Sequence, residues 1–160
     1  VALSAPAIPP MPAASAAYRH TFTAPDNVID QNGHVNNVAY VQWMQDAAVQ
    51  HSNAAGCTQV TLELGATWVI RSHKIEYLRP AFQGDHLVVL TWVSNFRKVR
   101  SLRKYRFFRV SDKAVLANGE TDWVLVKSTN GRPLAIPEHL AAVFELIPEQ
   151  LEPLDFDNLA

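Results

Sequence analysis

Residues 38–55 limit what this chain can fold into more than any other stretch. Counting from Val38 at about 100° per residue, the residues Tyr40, Met44, Ala47, Ala48, His51, Ala54 and Ala55 share one broad face. Gln42, Asp46 and Asn53 cluster roughly opposite. A helix with so wide an apolar face needs a wide cover, and a single sheet curling around it is the economical solution.

The rest of the chain supplies strands for such a cover. Residues 18–23 (YRHTFT) alternate and stop at Pro25. The helix is expected to end near Ala55, where Gly56 follows. Residues 61–78 read as extended, with Trp68, Ile70, Ile75 and Tyr77 as strand formers. Residues 86–96 (HLVVLTWVSNF) form a third strand, apolar enough at its centre to be buried on both faces. Residues 101–110 and 114–128 flank Ser111-Asp112-Lys113, a link of hairpin length. After the turn at Asn130-Gly131-Arg132-Pro133, Pro137 opens a short helix with Leu140, Val143, Phe144 and Ile147 on one side. This gives a flexible Ala/Pro-rich arm over 1–17, a single domain over 18–150, and a loose acidic tail over 151–160.

Composition narrows the function classes. At 160 residues the chain can bury a real core. Fourteen basic against fifteen acidic residues argue against a nucleic-acid partner. A lone cysteine, Cys57, excludes an internal disulfide and suits a reducing, cytoplasmic compartment. No apolar run approaches a membrane span, and the first sixteen residues lack the basic start and apolar segment of a secretory signal.

The helix starts from a polar loop, DNVIDQNGHVNN. Free N–H groups and the positive dipole end at a helix start can hold an anion, or an oxygen that becomes one during a reaction. Asn36 or Asn37 serves equally well as a plain N-cap, and the two roles are compatible.

Residues 30–43, D-x-N-G-H-V-N-N-V-A-Y-x-x-W, resemble the loop-and-helix signature of hotdog-fold acyl-CoA thioesterases, in particular the 4-hydroxybenzoyl-CoA thioesterase-like group. Residues 75–87, I-E-Y-L-R-P-A-x-x-G-D-x-L, are similar to the second strand, turn and third-strand start of that family, and Ala117-Asn118-Gly119-Glu120 is a fainter match. The resemblance implies an α+β hotdog fold, in which a long central helix is wrapped by a curved antiparallel sheet of five or six strands. It further implies a homodimer or homotetramer, with active sites where the sheets of two chains join edge to edge. The reaction would be hydrolysis of an acyl-CoA thioester without metal or cofactor, coenzyme A being part of the substrate.

On this resemblance Asp30 is the catalytic carboxylate, activating water as a general base or attacking the thioester itself. The plainer reading of Asp30 is a turn cap. Asn37 supplies the backbone N–H that receives the oxyanion. Gly33 permits a sharp turn or close ligand approach. Asn32, His34, Asn36 and Tyr40 are expected to contact substrate, His34 being equally readable as a plain loop residue and Tyr40 as core. Asn32 and His34 also resemble the Asn-x-His of plant-type acyl-ACP thioesterases, but Cys57, about 25 Å down the helix, cannot act as nucleophile with them. Asp46 is a fallback base, with Gln45 competing for its geometric position and a solvated helix face the plainer reading.

Arg97 and Arg100 head a basic group with Lys98, Arg103, Lys104 and Arg106. These side chains suit CoA phosphates, the acidic surface of an acyl carrier protein, or only solvent. The competing functions are thus an acyl-ACP thioesterase and a non-catalytic acyl-CoA-binding hotdog protein. The usual His–acid dyad of a hotdog dehydratase is not evident.

Overall fold

The computed structural model describes residues 16–159. The residues before these, where the arm is expected, lie outside the description. Five strands build one antiparallel sheet: β1 (Ala17–Thr23), β2 (Ala66–Tyr77), β3 (His86–Arg97), β4 (Arg100–Arg109) and β5 (Val115–Lys127), in the order β1-β3-β4-β5-β2. Between β1 and β2 run the long helix α1 (Asn37–Ala55) and a shorter one, α2 (Cys57–Glu63); α3 (Glu138–Ala141) follows the sheet. A long helix wrapped by a curved antiparallel sheet is the hotdog arrangement.

Local sequence explains the ends of α1. Asn36 caps it by accepting from the Ala39 N–H, and Gly56 ends it in the left-handed conformation at φ 84°. Ala39, Tyr40, Trp43, Met44, Ala47, Ala48 and His51 face the sheet. Val38 lies on the opposite side of the helix by the same period and is 76 % exposed.

The extended reading from residue 61 is corrected by α2, which runs to Glu63. Thr61 suggests a strand by propensity, but its hydroxyl donates to the Cys57 carbonyl at 2.7 Å and accepts from Trp68 Nε1 at 3.1 Å. Tertiary packing overrides propensity there.

β3 is buried on both sides. Leu87 and Val89 point into the cluster around α1. Val88, Leu90 and Trp92 face the other way and are covered by Ile147 and Leu154, with Leu151 and Phe156 packed alongside. The acidic tail expected to be loose therefore lies on the sheet. Its Glu152 accepts from Trp92 Nε1 at 3.0 Å and from Lys104 Nζ at 2.7 Å, and the Leu154 carbonyl accepts from Arg106 Nη1 at 2.8 Å.

Two contacts set how closely α1 lies on the sheet. A Cβ added at Gly119 would come within 3.0 Å of Met44 Sδ, so the helix rests where only a glycine leaves room. Nearer the other end of the helix, Arg103 of β4 is 4 % exposed, and its Nη1 donates to Thr91 Oγ1 at 3.0 Å and His51 Nδ1 at 2.9 Å. His51 stacks on Tyr18 and meets the edge of Phe144. Burial, and then Arg103, pushes the His51 pKa from 6.5 down to about 3, so the neutral ring accepts the arginine N–H.

Two outcomes follow. Gly119→Val should cost about 1–3 kcal/mol of stability, and Met44→Ala in the same chain should recover part of it. Additive costs would show that the two side chains do not meet. Between about pH 6.5 and 3 the unfolded chain protonates His51 while the folded chain does not. Stability should therefore be lost as pH falls through that window, by at most about 1.4 kcal/mol per pH unit from this group. His51→Gln, an acceptor that does not titrate, should flatten the fall of the urea midpoint between about pH 7 and 5. A variant as pH-dependent as wild type would contradict the assignment.

Candidate active site

The loop between β1 and α1 is strapped down along its whole length. At its start the Ala24 N–H donates to the Asp85 carbonyl at 2.9 Å, and Gly84 returns a bond to Ala24 at 3.0 Å. A turn of 3-10 helix, Asp26–Val28, follows. Ile29 and Val35 then pair as an antiparallel bridge, and His34 pairs with Phe82. The Val35 N–H donates to the carbonyl of the fully buried Ala81 at 2.8 Å. Asp85, part of the G-D-x-L segment, takes the Phe82 N–H on its carboxylate at 2.9 Å and pairs with Arg109 at 3.0 Å. The second family-like stretch thus braces the first.

Asp30 sits at the turn of this loop. Its Oδ1 accepts from the N–H groups of Asn32, at 2.9 Å, and His34, at 3.1 Å. Its own N–H donates to the His34 carbonyl at 2.7 Å, and Gly33, at φ 77°, donates back to the Asp30 carbonyl at 3.1 Å. A positive φ there closes the turn without a Cβ penalty. Asp30 is solvent-exposed, and Oδ2 has no partner among the described residues. The turn-cap reading of Asp30 is thus correct as geometry, and it leaves one carboxylate oxygen free.

Asn36 joins this loop to the helix. Its Nδ2 and backbone N–H both donate to the Val28 carbonyl, at 2.9 and 2.8 Å, while its Oδ1 accepts from Ala39. Asn36, rather than Asn37, is the cap. Asn37 is the first helical residue, and its carbonyl accepts from Tyr77 Oη at 2.7 Å. Among the described residues no acceptor takes the N–H of Asn37 or Val38. Both are orphan donors at the positive end of a nineteen-residue helix.

The other expected site residues fall in different places. Tyr40 is buried among Trp43, Tyr77 and Phe107. Burial, with Tyr77 beside it, pushes its hydroxyl up to about 12 and keeps it protonated. Asp46 accepts from Gln42 on the solvent side of α1 at 2.9 Å, whereas Gln45 borders a cavity under the second half of the helix. Cys57 is buried at the start of α2, and burial raises its thiol pKa.

Arg97 and Arg100 close the β3–β4 hairpin, whereas the Asp30 loop adjoins the opposite end of β3. At about 3.3 Å per residue the strand separates them by up to roughly 35 Å. The basic group they head is also largely occupied. Arg100 is engaged with Asp122 through two nitrogens, Arg103 lies under the helix, and Lys104 and Arg106 hold the tail. The Tyr77–Asn37 bond and the buried Arg103–His51 pair escape a reading by residue type. Strand alternation signals the second, since Arg103 shares its phase with Tyr105 and Phe107.

Among the described residues no three His, Cys, Asp or Glu side chains gather as a metal site, and no helix is long and apolar enough to cross a membrane.

Several solved structures share this fold. A probable thioesterase from Escherichia coli, YbaW, superposes with a TM-score of 0.74 at 17 % identity over 79 % of this chain and 95 % of its own. Slr0204 from Synechocystis, a 1,4-dihydroxy-2-naphthoyl-CoA thioesterase, gives 0.71 at 16 % identity over 79 % and 94 %. SAV2348 from Staphylococcus aureus, solved in complex with CoA, gives 0.73 at 20 % identity over 86 % and 93 %. No curated protein sequence matches the chain significantly. A family model matches residues 24–144, a span that takes in the Asp30 loop, α1 and all of β2 to β5. By that match the chain belongs to the thioesterase-like superfamily.

Proposed function

We propose that this protein hydrolyses an acyl-CoA thioester to a free carboxylic acid and CoA, with Asp30 as general base and the Asn37 N–H as oxyanion donor. One observation carries the reading: a carboxylate pinned by one oxygen to two loop amides, its other oxygen free, on the loop that leads into unpaired helix N–H groups. Family membership supports thioester chemistry, and the CoA bound to the similar SAV2348 supports the carrier.

Water placed against Asp30 Oδ2 gives up a proton to it as its oxygen attacks the thioester carbonyl carbon. The carbonyl π electrons move onto oxygen, where the Asn37 N–H and the helix dipole stabilise the charge. Collapse re-forms the carbonyl, breaks the C–S bond and releases the CoA thiolate, a leaving group stable enough to need little acid assistance. The thiolate then takes up the proton. His34, leaning edge-on against Phe82, and Asn32 lie on the same loop and are proposed to contact the substrate beside the thioester.

The assembly proposed with this reading is a homodimer joined through β2. That twelve-residue edge strand and the residue after it expose Val69, Tyr77 and Leu78, and among the described residues nothing pairs with the outer side of its backbone.

Asp30→Asn is a clean test, because the amide oxygen still accepts the Asn32 and His34 N–H groups while the base is lost. The variant should keep its melting temperature and lose about 10²–10⁴-fold in kcat, measured as thiol release from a panel of aromatic, short, branched and long acyl-CoAs. A variant within a few-fold of wild type would remove Asp30 from catalysis. Turnover of acyl-ACP but of no acyl-CoA would reassign the carrier and leave the site intact.

A further inference from the structure

A cavity of about 330 Å³ lies between the second half of α1, α2 and the sheet, away from the Asp30 loop. Its walls include Trp68, Phe96, Trp123, Phe144 and Val93, and among the described residues Arg103 is the only charged one lining it. That arginine is 4 % exposed, and no carboxylate among the described residues pairs with it. The first fifteen residues contain no Asp or Glu that could do so. Nη1 is spent on His51 and Thr91, while Nε and Nη2 have no acceptor among the described residues. Beside it Trp123 Nε1 is a second buried donor without a hydrogen-bond partner among the described residues, and the polar groups that line the cavity, Gln45, Thr61 and Ser101 among them, are uncharged. Neutral His51 and Thr91 orient the guanidinium but cannot balance its charge, and a buried cation without a counter-ion is costly.

We propose that this cavity is a binding site for a monocarboxylate with an apolar or aromatic body, its carboxylate on the free edge of Arg103. One cation matches one negative charge, and the planar guanidinium fork suits a carboxylate. Aromatic walls suit an apolar body, and the volume falls in the range of small-molecule pockets. The carboxylate belongs either to a free acid or to the far end of an acyl chain. The site stands on Arg103 and the cavity alone, and does not rest on Asp30.

Calorimetry on the intact protein tests this with phenylacetate and octanoate against their neutral amides. The acids should bind about ten- to a hundredfold more tightly than the amides. Arg103→Gln should abolish that preference. Val49→Phe, at a cavity-lining position 48 % exposed on the helix surface, should weaken acid binding without touching the arginine or the fold. Equal binding of acid and amide, no binding of the acids at millimolar concentration, or a Val49→Phe protein that binds like wild type would overturn the proposal. The two sources separate in KM: if Arg103→Gln raises KM for a thioester ending in a carboxylate but not for octanoyl-CoA, the acyl chain supplies the group. An unchanged ratio with lost acid binding assigns the site to a free acid.

Discussion

The side chain of Asn36 couples the two halves of the candidate site. One amide group donates to the Val28 carbonyl on the loop and accepts from the Ala39 N–H in the first turn of α1. Loop and helix start are thereby held in one register, and the cap alone is worth about 0.5–2 kcal/mol. Because Asn36 satisfies Ala39, the unpaired donors are those of Asn37 and Val38, at the outer rim of the helix. The bracket from Tyr77, Ala81 and Asp85 fixes the same loop from the sheet side. Orphan amides aimed at solvent cost little while exposed and become valuable when charge develops next to them in a dry site.

The sheet is covered on both faces by different means. On the helix side the contact is close and mostly apolar, with Gly119 admitting Met44. On the other side the tail is held by apolar residues and by carboxylates meeting Lys104, Arg106 and Lys113. Strand alternation sends Lys104 and Arg106 to that outer face and Arg103 to the inner one, so neighbouring basic residues have unrelated roles.

Periodicity made α1 and β3 to β5 legible, because their burial patterns repeat at the helix and strand periods. It also showed that β3 must be covered twice, without showing what covers it. The answer lay in Glu152 reaching Lys104, a partner 48 residues away that an acidic composition does not disclose. α2 was hidden because Thr and Val favour strands until Thr61 finds the Cys57 carbonyl and the Trp68 indole. At the site, the Asp30 loop was legible through a motif. Which asparagine caps the helix was not, since a backbone donor has no residue type. Arg97 and Arg100 grouped with the Asp30 loop by charge and motif alone, and a whole strand length separates the two.

In the proposed mechanism an unpaired backbone amide at the start of α1 receives the thioester oxygen. Amide NMR of the ¹⁵N-labelled protein, titrated with a non-hydrolysable acyl-CoA analogue that keeps the carbonyl, probes that amide directly. The Asn37 and Val38 signals should shift in proportion to occupancy, with Asn37 moving furthest downfield as its N–H gains an acceptor. Saturable binding that leaves both signals in place and moves only residues elsewhere would contradict an oxyanion site at the start of α1.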